Sequence, residues 1–125
     1  MLGVSTACFY PLEVEKALQF ICESGVKTTE IFFNSPSELN RDFLNSIKAA
    51  AENFGTNIKA IHPLSSFAEP YMLFSEYNRR FSDTRELYKK YYETAAMLDA
   101  DYVIIHGDTR INGIEDNDYF ERFFR

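Results

Sequence analysis

Long apolar runs are missing from this 125-residue sequence. No stretch approaches the roughly 20 uncharged apolar residues that a membrane-spanning helix needs, so no membrane partner is expected. The opening MLGVSTACFY lacks the basic region and long apolar core of a signal peptide, which makes the cytoplasm the expected compartment. Positive charge is also in deficit: 13 Lys and Arg stand against 19 Asp and Glu, a net charge of −6. That is the wrong sign for a chain whose affinity rests on neutralising polynucleotide phosphates, and no nucleic-acid partner is expected. The 2 cysteines are too few for a disulfide framework; Cys8 in an apolar run and Cys22 on a helix face read as small buried hydrophobes. GxGxxG after the first strand, the P-loop pattern, CxxC and HExxH are all absent, and nothing supports a Ser-His-Asp triad. What remains is a chain with 46% hydrophobic and 26% charged residues, the composition of one globular domain.

Hydrophobic periodicity divides that domain into four strand-then-helix units. Gly3 to Phe9 reads as a strand ended by Tyr10-Pro11, and Val14, Ala17, Leu18, Ile21 and Cys22 recur at helical spacing over Leu12 to Ser24, stopped by Gly25. Lys27 to Asn34 (KTTEIFFN) is a second strand. A second helix follows from Ser37, with Phe43, Leu44, Ile47, Ala50, Ala51 and Phe54 on one face and Gly55 at its end. Asn57 to His62 is a third strand, cut at Pro63. The aromatic stretch Leu64 to Phe81 then reads as a long connection. Ser82 or Asp83 caps a third helix with the face Leu87, Tyr91, Thr94, Ala95 and Leu98, and Tyr102 to His106 is a fourth strand. Asn117 to Arg125 (NDYFERFFR) reads as the start of a fourth helix, cut short after about two turns.

Such alternation predicts an α/β fold with a parallel sheet, right-handed crossovers and a binding site at the carboxyl ends of the strands. Two architectures meet that description. One is a small doubly wound domain. The other is the amino-terminal half of a (β/α)8 barrel, whose usual length of about 250 residues is twice this one. Length favours the first, and the interrupted apolar helix favours the second.

The sequence contains 2 histidines, and each occupies the last position of an expected strand: His62 in AIHP and His106 in VIIHGD. Alternation puts His62 on a face with Ala60 and Ile58, and His106 with Ile104 and Tyr102. Neighbouring strands lie about 4.8 Å apart, so the two imidazoles can converge on one cation at about 2.0–2.1 Å. Read as single residues, each is a hydrogen-bonded structural histidine; read as a pair, they are two metal ligands, and both readings stand. A metal site would need more donors, for which Asp108 and Glu30 are the candidates. Glu30 shares a face with Phe32 and Asn34, opposite Thr29, Ile31 and Phe33, and needs a polar partner if that face is enclosed. Asn34 is either a substrate hydrogen-bonding group or ordinary turn chemistry before Ser-Pro. The aromatic connection carrying Phe67 is either a wall over a sugar ring, a satellite apolar cluster covering the sheet, or a surface that docks further chain. Arg79, Arg80, Arg85, Lys89 and Lys90 read as a solvated helix face, with a phosphate contact as the alternative.

The segments GVST, GVKTTEIFFN, IKAIHPLSSF and LDADYVIIHGD resemble the first four strand regions of the xylose isomerase-like TIM-barrel superfamily, which includes sugar phosphate isomerases/epimerases and the endonuclease IV group of apurinic-site nucleases. The resemblance implies that residues 1–125 form a single partial TIM-barrel domain, the amino-terminal half. It places His62 and His106 in a pocket centred on a divalent metal ion, Zn, Mn or Mg, with a small sugar or sugar phosphate as substrate. It further implies that essential carboxylates come from strands five to eight, so one copy of this chain would lack a complete active site: either it is a fragment of a longer divalent-metal-dependent sugar or sugar-phosphate isomerase/epimerase, or copies associate, and a homo-oligomer is expected. An apurinic-site nuclease is the enzyme alternative, and a non-catalytic half-barrel that binds a sugar or self-associates is the alternative outside catalysis.

Overall fold

Alternating burial along the second strand sets the architecture. In β2 (Thr28–Phe32), Thr29 and Ile31 are buried, as is Phe33 just beyond, while Glu30 and Phe32 are half-buried, because successive side chains of a strand point to opposite faces. The computed structural model of the protein describes residues 2–108 and Glu121. In it β2 lies between β1 (Val4–Ser5) and β3 (Asn57–His62), and β3 pairs in turn with β4 (Tyr102–Val103), all in parallel. The order β1-β2-β3-β4 adds each strand on the same side. A doubly wound domain reverses its strand order at a switch point, whereas an arc of a (β/α)8 barrel does not. The strand order therefore selects the barrel half over the small doubly wound domain.

The helices α1 (Val14–Glu23), α2 (Arg41–Asn53) and α3 (Asn78–Met97) bury their apolar stripes on one side of this arc. Leu18 and Cys22, Leu44 and Ile47, and Tyr88 and Tyr91 meet Ile31, Phe33, Ile58 and Ile61 in a single core. The Asn40 side chain caps α2 by accepting the Phe43 N–H at 2.9 Å, and Ser35 with Glu38 forms a capping box on the preceding 3-10 turn Pro36–Leu39. The opposite, concave side of the arc carries Glu30, Phe32, Ala60, His62 and Tyr102, the last 59% exposed.

Several elements differ from the sequence expectation. The first strand ends at Ser5 rather than Phe9, and Thr6–Phe9 is a 3-10 turn. The cause is side-chain competition for backbone groups: the Ser5 hydroxyl accepts the Ala7 N–H at 3.2 Å and the Thr6 hydroxyl accepts the Phe32 N–H at 2.8 Å. On that turn Cys8 is exposed, not buried, while Cys22 is buried as expected. In β3 the register slips by one residue, Ile58 opposing Thr29 and Ala60 opposing Glu30. Lys59 is the extra residue, so Ile58 packs in the helix-side core instead of sharing a face with His62. Helix α3 begins at Asn78, ahead of Ser82 and Asp83, without a side-chain cap. The Phe81 N–H closes its first turn on the Tyr77 carbonyl, and the guanidiniums of Arg79 and Arg80 lie over the Tyr77 ring at 5.0 and 5.6 Å. Its buried face is centred on Tyr88 and Tyr91 rather than Leu87. The expected helix from Asn117 to Arg125 falls outside the described residues, Glu121 excepted.

The two faces of the sheet predict opposite responses to truncation. Ile61→Ala, at a fully buried helix-side position, is expected to cost about 2–5 kcal/mol. Tyr102→Ala, on the open concave side, should stay within about 0.5 kcal/mol. Urea denaturation midpoints of the two variants check this, and equal losses would place both residues in one core.

A second expectation concerns alkaline pH. The Tyr88 hydroxyl donates to Glu69 Oε1 at 2.5 Å inside the core. Burial, and then the adjacent Glu69 carboxylate, raise the Tyr88 pKa far above its ordinary value. The unfolded phenol ionises near pH 10 and the folded one only at higher pH. Its contribution to stability is therefore complete below about pH 10 and is lost as the pH climbs toward the folded value. In a denaturation series across that range, Tyr88→Phe should flatten the decline, leaving the part due to Tyr91, whose pKa burial also raises.

Candidate functional site

The parallel ladder between β3 and β4 brings the two histidines to the same edge. Ala60 pairs with Tyr102 and Ile61 with Val103, and the Ile104 N–H continues the ladder onto the Ile61 carbonyl at 2.9 Å. Counting by twos from the Ala60–Tyr102 pair puts His62 on the concave face at the carboxyl end of β3, whereas β4 ends at Val103, short of the expected His106, which lies past the strand and meets His62 there. Their Nε2 atoms are 3.1 Å apart, and the rings stand edge to face with centroids at 4.8 Å.

Glu30 occupies the other end of His62. Its Oε1 accepts the Ser5 hydroxyl at 2.6 Å and lies 3.4 Å from His62 Nδ1. The Phe32 ring, at 4.6 Å and an interplanar angle of 72°, packs against the His62 imidazole and restricts its rotation. A carboxylate beside Nδ1 favours the tautomer with the proton on that nitrogen, which leaves the Nε2 lone pair pointing at His106. The polar partner that Glu30 requires is thus supplied by Ser5 and His62.

This arrangement suits either of two occupants of the gap between the rings. A proton on His106 Nε2 makes a direct N–H···N hydrogen bond at the observed distance. Alternatively, two imidazole nitrogens each about 2.0–2.1 Å from a tetrahedral cation are about 3.3 Å apart, close to the spacing found. The donor set also fits, since histidines that bind metal commonly hand their second nitrogen to a carboxylate. Two ligands are nonetheless short of the three or four that such ions take. Among the described residues no group of three or more His, Cys, Asp or Glu is arranged to hold an ion, and Asp108 does not complete one. Around Ser5, Glu30 and Ala60 the concave face holds a cavity of about 280 Å³ that Lys59 also lines.

The other residues singled out in the sequence take no part in the hydrogen-bonded row Ser5–Glu30–His62–His106. Asn34 lies exposed just past β2, its N–H donating to Glu38 Oε2 at 2.6 Å and its side-chain amide to the Phe32 carbonyl at 3.4 Å. Phe67 is 79% exposed on the 3-10 turn Ser66–Tyr71. Two residues further along that turn is a group that sequence reasoning missed. Glu69 is 1% exposed, and besides the Tyr88 hydroxyl it accepts the backbone N–H groups of His106 at 2.7 Å and Gly107 at 3.0 Å. Gly107 adopts φ of +89°, a conformation that glycine takes without steric cost. No periodicity marks Glu69 in the sequence, because it sits in an aromatic connection whose fold is set by distant partners.

No family model matches the chain, and no curated protein matches it. Among solved structures it is similar to a xylose isomerase domain protein from Planctomyces limnophilus, with a TM-score of 0.66 and 19% sequence identity. The similarity covers 97% of this chain and 45% of that one, so the chain spans somewhat less than half the length of its structural neighbour. In strand order and connectivity the chain has the α/β fold of about half of a (β/α)8 barrel, like the part of that structure it matches.

Proposed function

We propose that this chain supplies the divalent-metal side of a sugar or sugar-phosphate isomerase/epimerase site, with His62 and His106 as two of the ligands. The observation that carries the reading is the 3.1 Å approach of the two Nε2 atoms, with Glu30 on the far nitrogen of His62. A xylose isomerase-like fold supports the substrate class. The acidic balance of the chain, −6, favours a small substrate over a polynucleotide.

In this reading each residue has a defined task. His62 presents its Nε2 lone pair at the carboxyl edge of the sheet, and His106 would offer its own once an ion takes the place of the proton between the rings. Glu30 holds the proton on His62 Nδ1, Ser5 holds Glu30, and Phe32 holds the plane of the ring. A divalent ion bound there supplies Lewis-acid polarisation of a substrate oxygen, which acidifies the neighbouring C–H bond. The remaining ligands and the carboxylates that move the proton belong to barrel strands facing this arc, contributed by a second copy or by further sequence. Asn34 and Phe67, both exposed near the strand ends, are the proposed contacts for a substrate hydroxyl and sugar face.

Metal binding tests the reading on the chain as it stands. Native mass spectrometry and calorimetric titration with Zn²⁺ or Mn²⁺ should show one ion per site, whether the species is a monomer or an oligomer. His62→Ala combined with His106→Ala should abolish uptake, and Glu30→Gln should weaken it by about 10–100-fold while the far-ultraviolet dichroism stays unchanged. Equal uptake by the wild type and the double variant would overturn the proposal.

A further inference from the structure

We infer that Glu69 is the positioning residue of this site, holding His106 opposite His62 by gripping the chain where it leaves β4. This deepens the proposed function and rests on His62 and His106 acting as a pair. The strand ladder reaches its last bond at Ile104, whose N–H meets the Ile61 carbonyl. His106 lies two residues beyond it. There the backbone is held instead by Glu69 Oε2, which accepts both the His106 and the Gly107 N–H.

The choice of a carboxylate at this point is informative. Burying a charge is costly unless hydrogen bonds compensate, and a main-chain carbonyl or an amide would satisfy two N–H groups at lower cost. Glu69 accepts three bonds from two separate elements: the core hydroxyl of Tyr88 on α3 through Oε1, and two consecutive amides of the loop after β4 through Oε2. It is itself carried by the connection between β3 and α3. One side chain therefore ties the loop that follows His62 and the helix behind the sheet to the loop that carries His106. The Nε2–Nε2 separation of 3.1 Å is set from both sides, by Glu30 acting on the ring of His62 and by Glu69 acting on the backbone of His106. Charge-assisted hydrogen bonds of this kind are roughly twice as strong as neutral ones, which suits a residue that must fix a loop without a strand partner.

The test compares Glu69→Ala, Glu69→Gln and Tyr88→Phe in the full chain, reading amide hydrogen exchange at His106 and Gly107, the ring resonances of His62 and His106, and the affinity for Zn²⁺ alone. Glutamine can accept the two loop amides through its carbonyl while its amide donates to the Tyr88 oxygen, so it should keep the ring resonances and most of the affinity. Alanine should raise exchange at both amides, separate the ring signals and weaken Zn²⁺ binding by about tenfold. If the alanine variant does not fold, Tyr88→Phe carries the comparison, since it releases one anchor of Glu69 without touching the loop and should show the same changes to a smaller degree. Wild-type ring resonances and Zn²⁺ affinity in a folded Glu69→Ala protein, or in Tyr88→Phe where alanine fails to fold, would overturn the positioning role. A wild-type chain that takes up no Zn²⁺ would instead overturn the metal reading, and the ring resonances and amide exchange would still decide the role of Glu69.

Discussion

Burial of Ile31, Phe33 and Ile61 against the helices is the constraint on which the functional edge depends. Because side chains alternate along a strand, fixing these three on the helix side fixes Glu30, Phe32 and His62 on the concave side. A one-residue slip of β3 would carry His62 into the core and expose Ile61, forfeiting about 1.5–3 kcal/mol of apolar burial for that side chain alone. The extra residue at Lys59 serves the same end. It lets both Ile58 and Ile61 face the helices, although three positions apart they would otherwise point to opposite faces, and it leaves Ala60 and His62 together on the open side.

Two carboxylates then convert strand register into side-chain position. Glu30 works within the sheet, bridging Ser5 on β1 and His62 on β3. Glu69 works across layers, linking the core hydroxyl of Tyr88 to the amides after β4. Among the described residues neither is paired with Lys or Arg; each is satisfied by hydrogen bonds, and Glu30 also by the His62 imidazole. The surface charges behave differently. Lys59 with Asp101, Lys48 with Asp99 and Lys89 with Glu86 form exposed pairs, which contribute little to stability individually.

The parts of the fold legible in the sequence were those governed by local periodicity. β3 runs from Asn57 to His62, ending before Pro63 as expected, and the alternation in KTTEIFFN divides the faces of β2 correctly. The two strand-end histidines stood out because the sequence has no others, and the sheet brings them together. What stayed hidden depended on tertiary partners. The early end of β1 follows from hydroxyl groups replacing ladder bonds, the early start of α3 from arginines stacking on Tyr77, and the exposure of Cys8 from the turn that results. Glu69 was the least accessible of all. A carboxylate next to Pro70 in an aromatic connection reads as surface, and only the folded arrangement of α3 and the β4 exit encloses it.

The central claim is that the fold presents the Nε2 lone pair of His62 to His106, and the protonation of the ring nitrogens tests it most directly. In ¹⁵N-labelled, metal-free protein at mildly alkaline pH, long-range proton–nitrogen spectra distinguish protonated from bare ring nitrogens for each histidine. The account predicts that His62 carries its proton on Nδ1, toward Glu30, and that His106 carries its proton on Nε2, toward His62. A His62 protonated on Nε2 would contradict it, because the lone pair would then face Glu30 and the pair would not be prepared to share a cation.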